Sequence, residues 1–156
     1  MYALNHPNIV KLYNHFEDDS NFYLILELAE KGNLYSKLKK QGVEREEAVQ
    51  IIREITLAVQ YMHSRDPPII HRDIKPENIL LDDEGRTKLG DFGWSNFTNS
   101  DRTTYCGTLE YLAPEMIDRT GHSLKLDVWG IGVLVYELFA GKAPFESNNQ
   151  KILFDK

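Results

Sequence analysis

The chain has 156 residues, 42% of them hydrophobic and 27% charged, a length and mixture that fit one globular domain and exclude disordered, collagen-like and disulfide-scaffold classes. Its net charge of −6 argues against non-specific binding to nucleic acid or an anionic membrane and favours basic partners. Cys106 is the only cysteine, so no internal disulfide forms, which suits a reducing compartment.

Met1 to Val10 shows no basic region followed by an apolar core, so no signal peptide is expected. Ile9 to Phe16 and Phe22 to Leu28 read as strands joined by the turn Asp18-Asp19-Ser20-Asn21, a hairpin. Lys31-Gly32-Asn33 breaks that pattern, and Leu34 to Lys40 reads as a short helix. A longer helix follows, because Ala48, Ile51, Ile52, Ile55, Val59 and Met62 recur at helical spacing while Glu46, Glu47, Arg53 and Glu54 lie off the stripe. Pro67-Pro68 is expected to end it. Ile69 to Tyr111 reads mostly as loop, with short strands Ile79 to Leu81 and Thr87 to Leu89 around Asp82-Asp83-Glu84-Gly85. Loops this long inside a compact domain are usually functional. From Ser123 to about Ala140 the pattern predicts a second, buried helix, stopped by Gly141 and Pro144. Its apolar run from Val128 is interrupted by Glu137 and falls short of the roughly 20 residues a membrane span needs.

The loop region contains His71-Arg72-Asp73-Ile74-Lys75-Pro76-Glu77-Asn78, then Asp91-Phe92-Gly93, then Ala113-Pro114-Glu115. Singly each triplet is weak, since a lone Asp or Asn is usually a turn or cap residue. Together, in this order and spacing, they form the protein-kinase signature, and the resemblance to protein kinases extends over essentially the whole chain. Phosphoryl transfer explains these residue types, because its transition state is stabilised mainly by positioning and by metal ions. The resemblance implies that Asp73 accepts the proton of the substrate hydroxyl and that Lys75 offsets charge on the transferred group. It implies ATP and Mg²⁺ as cofactors, with Asn78 and Asp91 as the oxygen ligands a hard cation prefers.

The run Asp-Ile-Lys-Pro-Glu-Asn resembles Ser/Thr rather than tyrosine kinases, and Gly107-Thr108 before Tyr111 points the same way. By the family pattern Thr108 ties the substrate platform to Asp73 and Lys75. Leu24-Ile25-Leu26-Glu27-Leu28-Ala29 resembles the adenine-binding hinge: the Glu27 C=O and Ala29 N–H would meet the purine edge, with Leu26 as gatekeeper and Leu80 as pocket floor. An apolar edge strand would look much the same. Asp127 opens the late helix, where a carboxylate is favourable on dipole grounds; the resemblance adds that it bonds the backbone near His71. His71 and Phe92 are implied packing residues that stack with Leu12, and His71 is neither a base nor a ligand.

Trp94-Ser95 after Asp91-Phe92-Gly93, the segment Arg102-Thr103-Thr104-Tyr105-Cys106-Gly107-Thr108-Leu109-Glu110-Tyr111, His6-Pro7-Asn8-Ile9 and Pro144-Phe145-Glu146 resemble the Aurora kinases. Arg65-Asp66-Pro67-Pro68 lengthens the approach to His71, Ala113 replaces a Pro, and Asp101 replaces a basic residue, all departures from that family. The resemblance implies an α+β, protein-kinase-like fold, with residues 1–30 ending the small lobe and hinge and 31–156 forming an incomplete helical lobe. The Gly-rich loop, the ATP-anchoring Lys and its Glu partner would lie upstream, and the Arg that pairs with Glu115 downstream. Residues 1–156 alone are therefore expected to be inactive. It further implies activation by phosphorylation at Thr104, or secondarily Thr103, read by Arg72. Glu77 and Asp155 would recognise an Arg two residues before the phosphoacceptor, with Glu77 also bordering the nucleotide, and an activating partner would sit on the small lobe. The location is intracellular: nucleus, spindle or centrosome if Aurora-like, otherwise cytoplasm. Cys106 is a candidate redox-sensitive thiol. Competing readings are a pseudokinase scaffold, disfavoured by the presence of Asp73, Asn78 and Asp91, a Ser/Thr kinase of another basophilic subfamily, and a small-molecule phosphotransferase.

Overall fold

A computed structural model describes residues 4–91, 96–97, 109–118, 120–121, 123–147 and 149–154. Within them the elements run β1 (Leu12–Glu17), β2 (Phe22–Leu26), α1 (Leu34–Gln41), α2 (Arg45–His63), β3 (Ile69–Ile70), β4 (Ile79–Leu81), β5 (Thr87–Leu89), β6 (Asn96–Phe97), α3 (Pro114–Ile117), α4 (Lys125–Ala140) and α5 (Gln150–Phe154). The fold is α+β. Three antiparallel strand pairs, β1-β2, β3-β6 and β4-β5, accompany a helical body in which α2 packs on α4.

The β1-β2 hairpin turns where Asp18 Oδ1 accepts from the N–H groups of Ser20, at 2.9 Å, and Asn21, at 2.8 Å, an Asx-type closure. Register shifts once, between Leu12 and Asn14, a bulge that bends the strand. Both strands are shorter than the sequence pattern suggests. Ile9 instead bridges to Leu89, and Leu28 lies beyond β2 with three-quarters of its surface exposed.

Helix α1 starts at Asn33, whose Oδ1 accepts from the Ser36 N–H at 2.9 Å, the expected cap chemistry. Helix α2 buries Ala48, Ile51, Ile55, Val59 and Met62 of the expected stripe, leaves Ile52 half-buried, and also buries Ala58 and Glu54, the latter expected off the stripe. Burying a large aliphatic side chain contributes ~1.5–3 kcal/mol, so this stripe is the main support of the core. The helix stops at His63 with Ser64 as C-cap, four residues before Pro67. Local capping, rather than proline, therefore ends it.

Residues 69–111 hold more structure than expected. Ile69 and Ile70 pair with Phe97 and Asn96, and short 3-10 turns occupy Pro76–Asn78 and Leu109–Tyr111. Two-residue strands and single turns carry too little periodicity to be read from sequence. Helix α4 starts at Lys125, two residues later than Ser123, and ends at Gly141, whose φ of 73° is left-handed, as a glycine C-cap allows. The expectation of a buried helix holds for one face only. Leu126, Gly130, Val133, Leu134 and Leu138 are buried, but Val128, Tyr136 and Phe139 are about half exposed. No helix among the described residues is long and apolar enough to cross a membrane.

Two hydrophobic clusters form. One joins Leu34, Ile51, Ile55, Met62, Ile74, Ile79, Leu89 and Leu134; the other joins Ile70, Leu112, Ala113, Met116 and Leu126. The segment from Ile70 to Ile79 is thereby pinned at both ends, and the polar residues between are presented at the seam.

Candidate active site

The centre of the site is the buried Asp73. Its Oδ2 accepts from Lys75 Nζ at 2.8 Å and from Asn78 Nδ2 at 2.7 Å. The same Asn78 nitrogen donates to the Asp73 C=O at 2.8 Å, so Asn78 grips both the side chain and the main chain of Asp73. Charge-assisted bonds of this kind are the stronger class. They fix the carboxylate in one rotamer with only a small face toward solvent.

The loop is held by Asp127 of α4, fully buried. Asp127 Oδ2 accepts from the His71 N–H at 3.0 Å and Oδ1 from the Arg72 N–H at 2.8 Å, while His63 Nε2 lies 2.8 Å from Oδ2. Arg72 sits at φ 73°, a left-handed conformation costing ~1–3 kcal/mol outside glycine. Hydrogen bonds to a charged group contribute ~1.5–3 kcal/mol each, so the two backbone bonds outweigh that strain. The helix makes no side-chain cap bond at its N-cap, Leu124. The capping explanation for Asp127 therefore gives way to the anchoring one, although its first-turn position still favours negative charge.

His71 connects this loop to the strand leading to Asp91. Its Nε2 lies 2.8 Å from the Gly90 C=O and its Nδ1 accepts from the Asp73 N–H at 3.3 Å. Those partners assign the proton to Nε2, so His71 serves as a buried strut. Gly90 N–H in turn donates to the Asn78 C=O at 2.8 Å. A Cβ on Gly90 would stand 3.3 Å from Val10 Cγ2 and 3.5 Å from Leu80 Cδ1, so a larger residue where β5 passes the loop would press on Val10. Helix α4 approaches as closely: a Cβ on Gly130 would lie 3.1 Å from Ile74 Cβ.

Asp91 is exposed and left-handed at φ 49°. Among the described residues no group of three or more His, Cys, Asp and Glu side chains is disposed to hold a metal by itself. Asn78 and Asp91 nevertheless fit Mg²⁺. With its nitrogen committed to Asp73, Asn78 has its amide oxygen to offer, and Asp91 adds a carboxylate from the adjoining segment. Mg²⁺ commonly takes one or two protein oxygens and completes its shell with water and phosphate.

The remaining expected site residues are dispersed around this centre. Leu26 ends β2 and is exposed, Ala29 is half-buried just beyond, and half-buried Leu80 on β4 lies opposite Lys88. Glu77 occupies the 3-10 turn, half-buried, close enough to Tyr111 for its charge to raise that phenol's pKa. Leu12 is half-buried and pairs with Leu26. Glu115 lies in the first turn of α3, and its C=O accepts from the Thr120 N–H at 3.1 Å. Phe92, Trp94, Ser95, Thr103, Thr104, Cys106, Thr108 and Asp155 fall outside the described residues.

Three residues of this region escape the sequence pattern. His63 supports Asp127. Glu54, buried on α2, accepts from the Thr87 N–H at 2.8 Å and from Gln50 Nε2 at 2.7 Å, tying α2 to the strand below Asp91. Lys88, buried in the middle of β5, reaches Glu27. A lysine between Thr87 and Leu89 in an otherwise buried strand was the one signal available for the last.

The chain matches the protein kinase domain family over residues 1–156. It is 50% identical over 147 residues to Aurora kinase C of Mus musculus, covering 93% of this chain and 52% of that protein. It is 46% identical over 153 residues to an Aurora kinase of Encephalitozoon cuniculi, covering 96% of this chain and 55% of that protein. An Aurora kinase of Dictyostelium discoideum is 44% identical over 153 residues, 97% of this chain and 39% of that protein. The chain spans about half the length, or less, of these curated relatives.

Proposed function

The chain belongs to the protein kinase family, and from that premise we propose that it carries the phosphoryl-transfer half of an Aurora-like Ser/Thr protein kinase. The observation that carries this reading is the Asp73 carboxylate, buried and gripped by Lys75 Nζ and Asn78 Nδ2 at 2.8 and 2.7 Å, with the segment bearing Asp91 tied to the same loop through Gly90.

Asp73 orients the substrate hydroxyl and accepts its proton as the oxygen–phosphorus bond forms and the bond to the departing diphosphate breaks. Lys75, paired with Asp73, brings its positive charge beside the transferred group, where preorganised charge is most effective. Asn78 and Asp91 would hold Mg²⁺, which, with ATP as phosphoryl donor, supplies the charge neutralisation the transfer needs. The backbone at Glu27 and Ala29 reads the purine between Leu26 and Leu80.

Protein Ser/Thr side chains are the acceptors, with Thr108 bridging them to Asp73. Glu77, with Asp155, favours a basic residue before the acceptor. Phosphorylation of Thr104, or secondarily Thr103, orders the segment through Arg72. An activating partner on the small lobe and a nuclear, spindle or centrosomal site complete the proposal. The test uses the full-length protein with Mg-ATP and matched Ser, Thr and Tyr peptides bearing an upstream Arg. Transfer to Ser and Thr, with Asp91→Ala abolishing it, is expected. Equal transfer to Tyr, or an Asp91→Ala variant that keeps its Mg²⁺-dependent rate, contradicts the assignment.

A further inference from the structure

Glu27, just beyond the end of β2, is held from three directions. Its N–H donates to the Lys11 C=O at 2.8 Å. Its Oε2 accepts from the Lys11 N–H at 3.1 Å. Its Oε1 pairs with Lys88 Nζ at 2.6 Å. The first two bonds stay within the β1-β2 hairpin. The third crosses to β5, and it crosses largely shielded from water, the two side chains being 24% and 10% exposed. Burial alone would raise the Glu27 pKa, but the hydrogen bonds from Lys88 and Lys11, with the Lys88 charge, hold it below the usual carboxylate range.

The location gives this pair its meaning. Lys88 stands three residues before Asp91 and directly opposite Leu80 in the β4-β5 register. The next residue, Leu89, is bonded on both sides to the segment entering β1: its N–H donates to the Asn8 C=O at 2.9 Å and its C=O accepts from the Val10 N–H at 2.9 Å. That second attachment reaches the hairpin at its start, whereas Lys88 reaches it at its end. Start and end of the hairpin are neighbours, the Glu27 N–H donating to the Lys11 C=O, so both attachments grip the base of the hairpin from β5. The backbone after β2 is thus tied to β5 near Asp91 by this side-chain pair, and a few residues later to β4 by the Lys31 N–H to Leu81 C=O and Leu81 N–H to Gly32 C=O bonds at 3.0 and 2.8 Å.

We propose that Lys88 is a positioning residue of the nucleotide site, its pair with Glu27 fixing the backbone that reads the purine at a set distance from Asp91. This inference rests on the kinase reading above. It requires that loss of the pair weaken nucleotide binding while leaving the Asp73 chemistry intact, because Asp73 is anchored separately through Asn78 and Asp127. Lys88→Met in the full-length protein should raise KM for ATP about 10-fold, and the dissociation constant of a fluorescent ATP analogue likewise, with kcat within about twofold. Glu27→Gln should do the same, and the double variant no more than either alone. Lys88→Arg should keep most of the affinity.

A Lys88→Met variant with a lowered melting temperature but unchanged KM and analogue affinity overturns the proposal, as do single variants whose effects add. If Lys88→Met fails to fold, Glu27→Gln decides: a folded Glu27→Gln variant with unchanged KM and analogue affinity overturns it. Failure of the kinase reading looks different, as wild-type protein that binds the analogue but transfers no phosphate. The Lys88 effect on analogue binding then still stands or falls alone.

Discussion

The loop carrying Asp73 and the hairpin of β1 and β2 are built on opposite terms. Around Asp73, His71, Asn78 and Asp127 are buried, and each is bonded to at least two others or to the backbone between them. In the hairpin every residue of both strands except Leu12 is exposed, including Tyr13, Phe16, Phe22 and Ile25. Its aromatic pairs, Phe16 on Tyr23 at 4.7 Å and His15 on Phe22 at 5.1 Å, are local to the two strands. On the proposed reading, the chemistry is mounted on the over-determined half of the site and purine reading on the half with few ties. Small reserves of stability belong where motion is tolerated, and a displaced base costs more than a displaced purine contact.

The largest expected effect breaks the rigid half. Asp127→Ala orphans the buried His71 N–H and the part-buried Arg72 N–H, and removes the support for the left-handed Arg72. It should cost about 3–5 kcal/mol in urea unfolding. A loss under about 1 kcal/mol would mean that the loop holds itself. Gly130→Ala tests the same half by steric pressure, forcing a methyl group within 3.1 Å of Ile74. It should cost about 1–3 kcal/mol and lower kcat more than it raises KM for ATP.

Acid sharpens the contrast by acting on the joint between the halves. Hydrogen bonds from Lys88 and Lys11 outweigh burial at Glu27, and bonds from Arg86 outweigh it at Asp82, so both carboxyls lie below their ordinary range. A lowered folded pKa stabilises above the unfolded value near ~4 and ceases to as pH falls through the folded value. Stability should therefore decline below pH ~4, with the hairpin tie through Glu27 weakening in the same window. Nuclear magnetic resonance titration of Glu27, with and without Lys88→Met, checks this. An unchanged midpoint in the variant would remove Lys88 as the cause. At the other extreme, burial and Glu137 raise the Tyr111 pKa well above the usual phenol range, so its share of stability declines above pH ~10, where the unfolded phenol ionises first. Smallest of all, Phe22→Ser on the exposed hairpin should change stability by less than about 0.5 kcal/mol; a loss of 2 kcal/mol would show the hairpin to be core.

The two halves also differed in how much the sequence disclosed. Asp73 and Asn78 stood out as candidates because the kinase resemblance asks for a base and an oxygen ligand at that spacing, and Asp127 because the resemblance implies a carboxylate bonding the backbone near His71; β4 and β5 were legible because the turn Asp82-Asp83-Glu84-Gly85 separates two short strand-like runs. Helix α2 was readable from period alone. What sequence could not supply were pairings between distant positions that follow no local period: His63 with Asp127, Glu54 with Thr87, Lys88 with Glu27. Strand β3 was hidden because two residues carry no alternation. The outer face of α4 was misjudged because an apolar helix looks the same whether one face or both are covered.

The central claim is that transfer depends on the Asp73 carboxylate while nucleotide binding does not. Single-turnover transfer from Mg-ATP to a basic Ser peptide, measured in the full-length protein for wild type and Asp73→Asn at matched nucleotide occupancy, tests it most directly. The account predicts a rate lower by about 10²–10⁴-fold in Asp73→Asn, with nucleotide affinity changed by less than about threefold. A variant that transfers phosphate at the wild-type rate would contradict it.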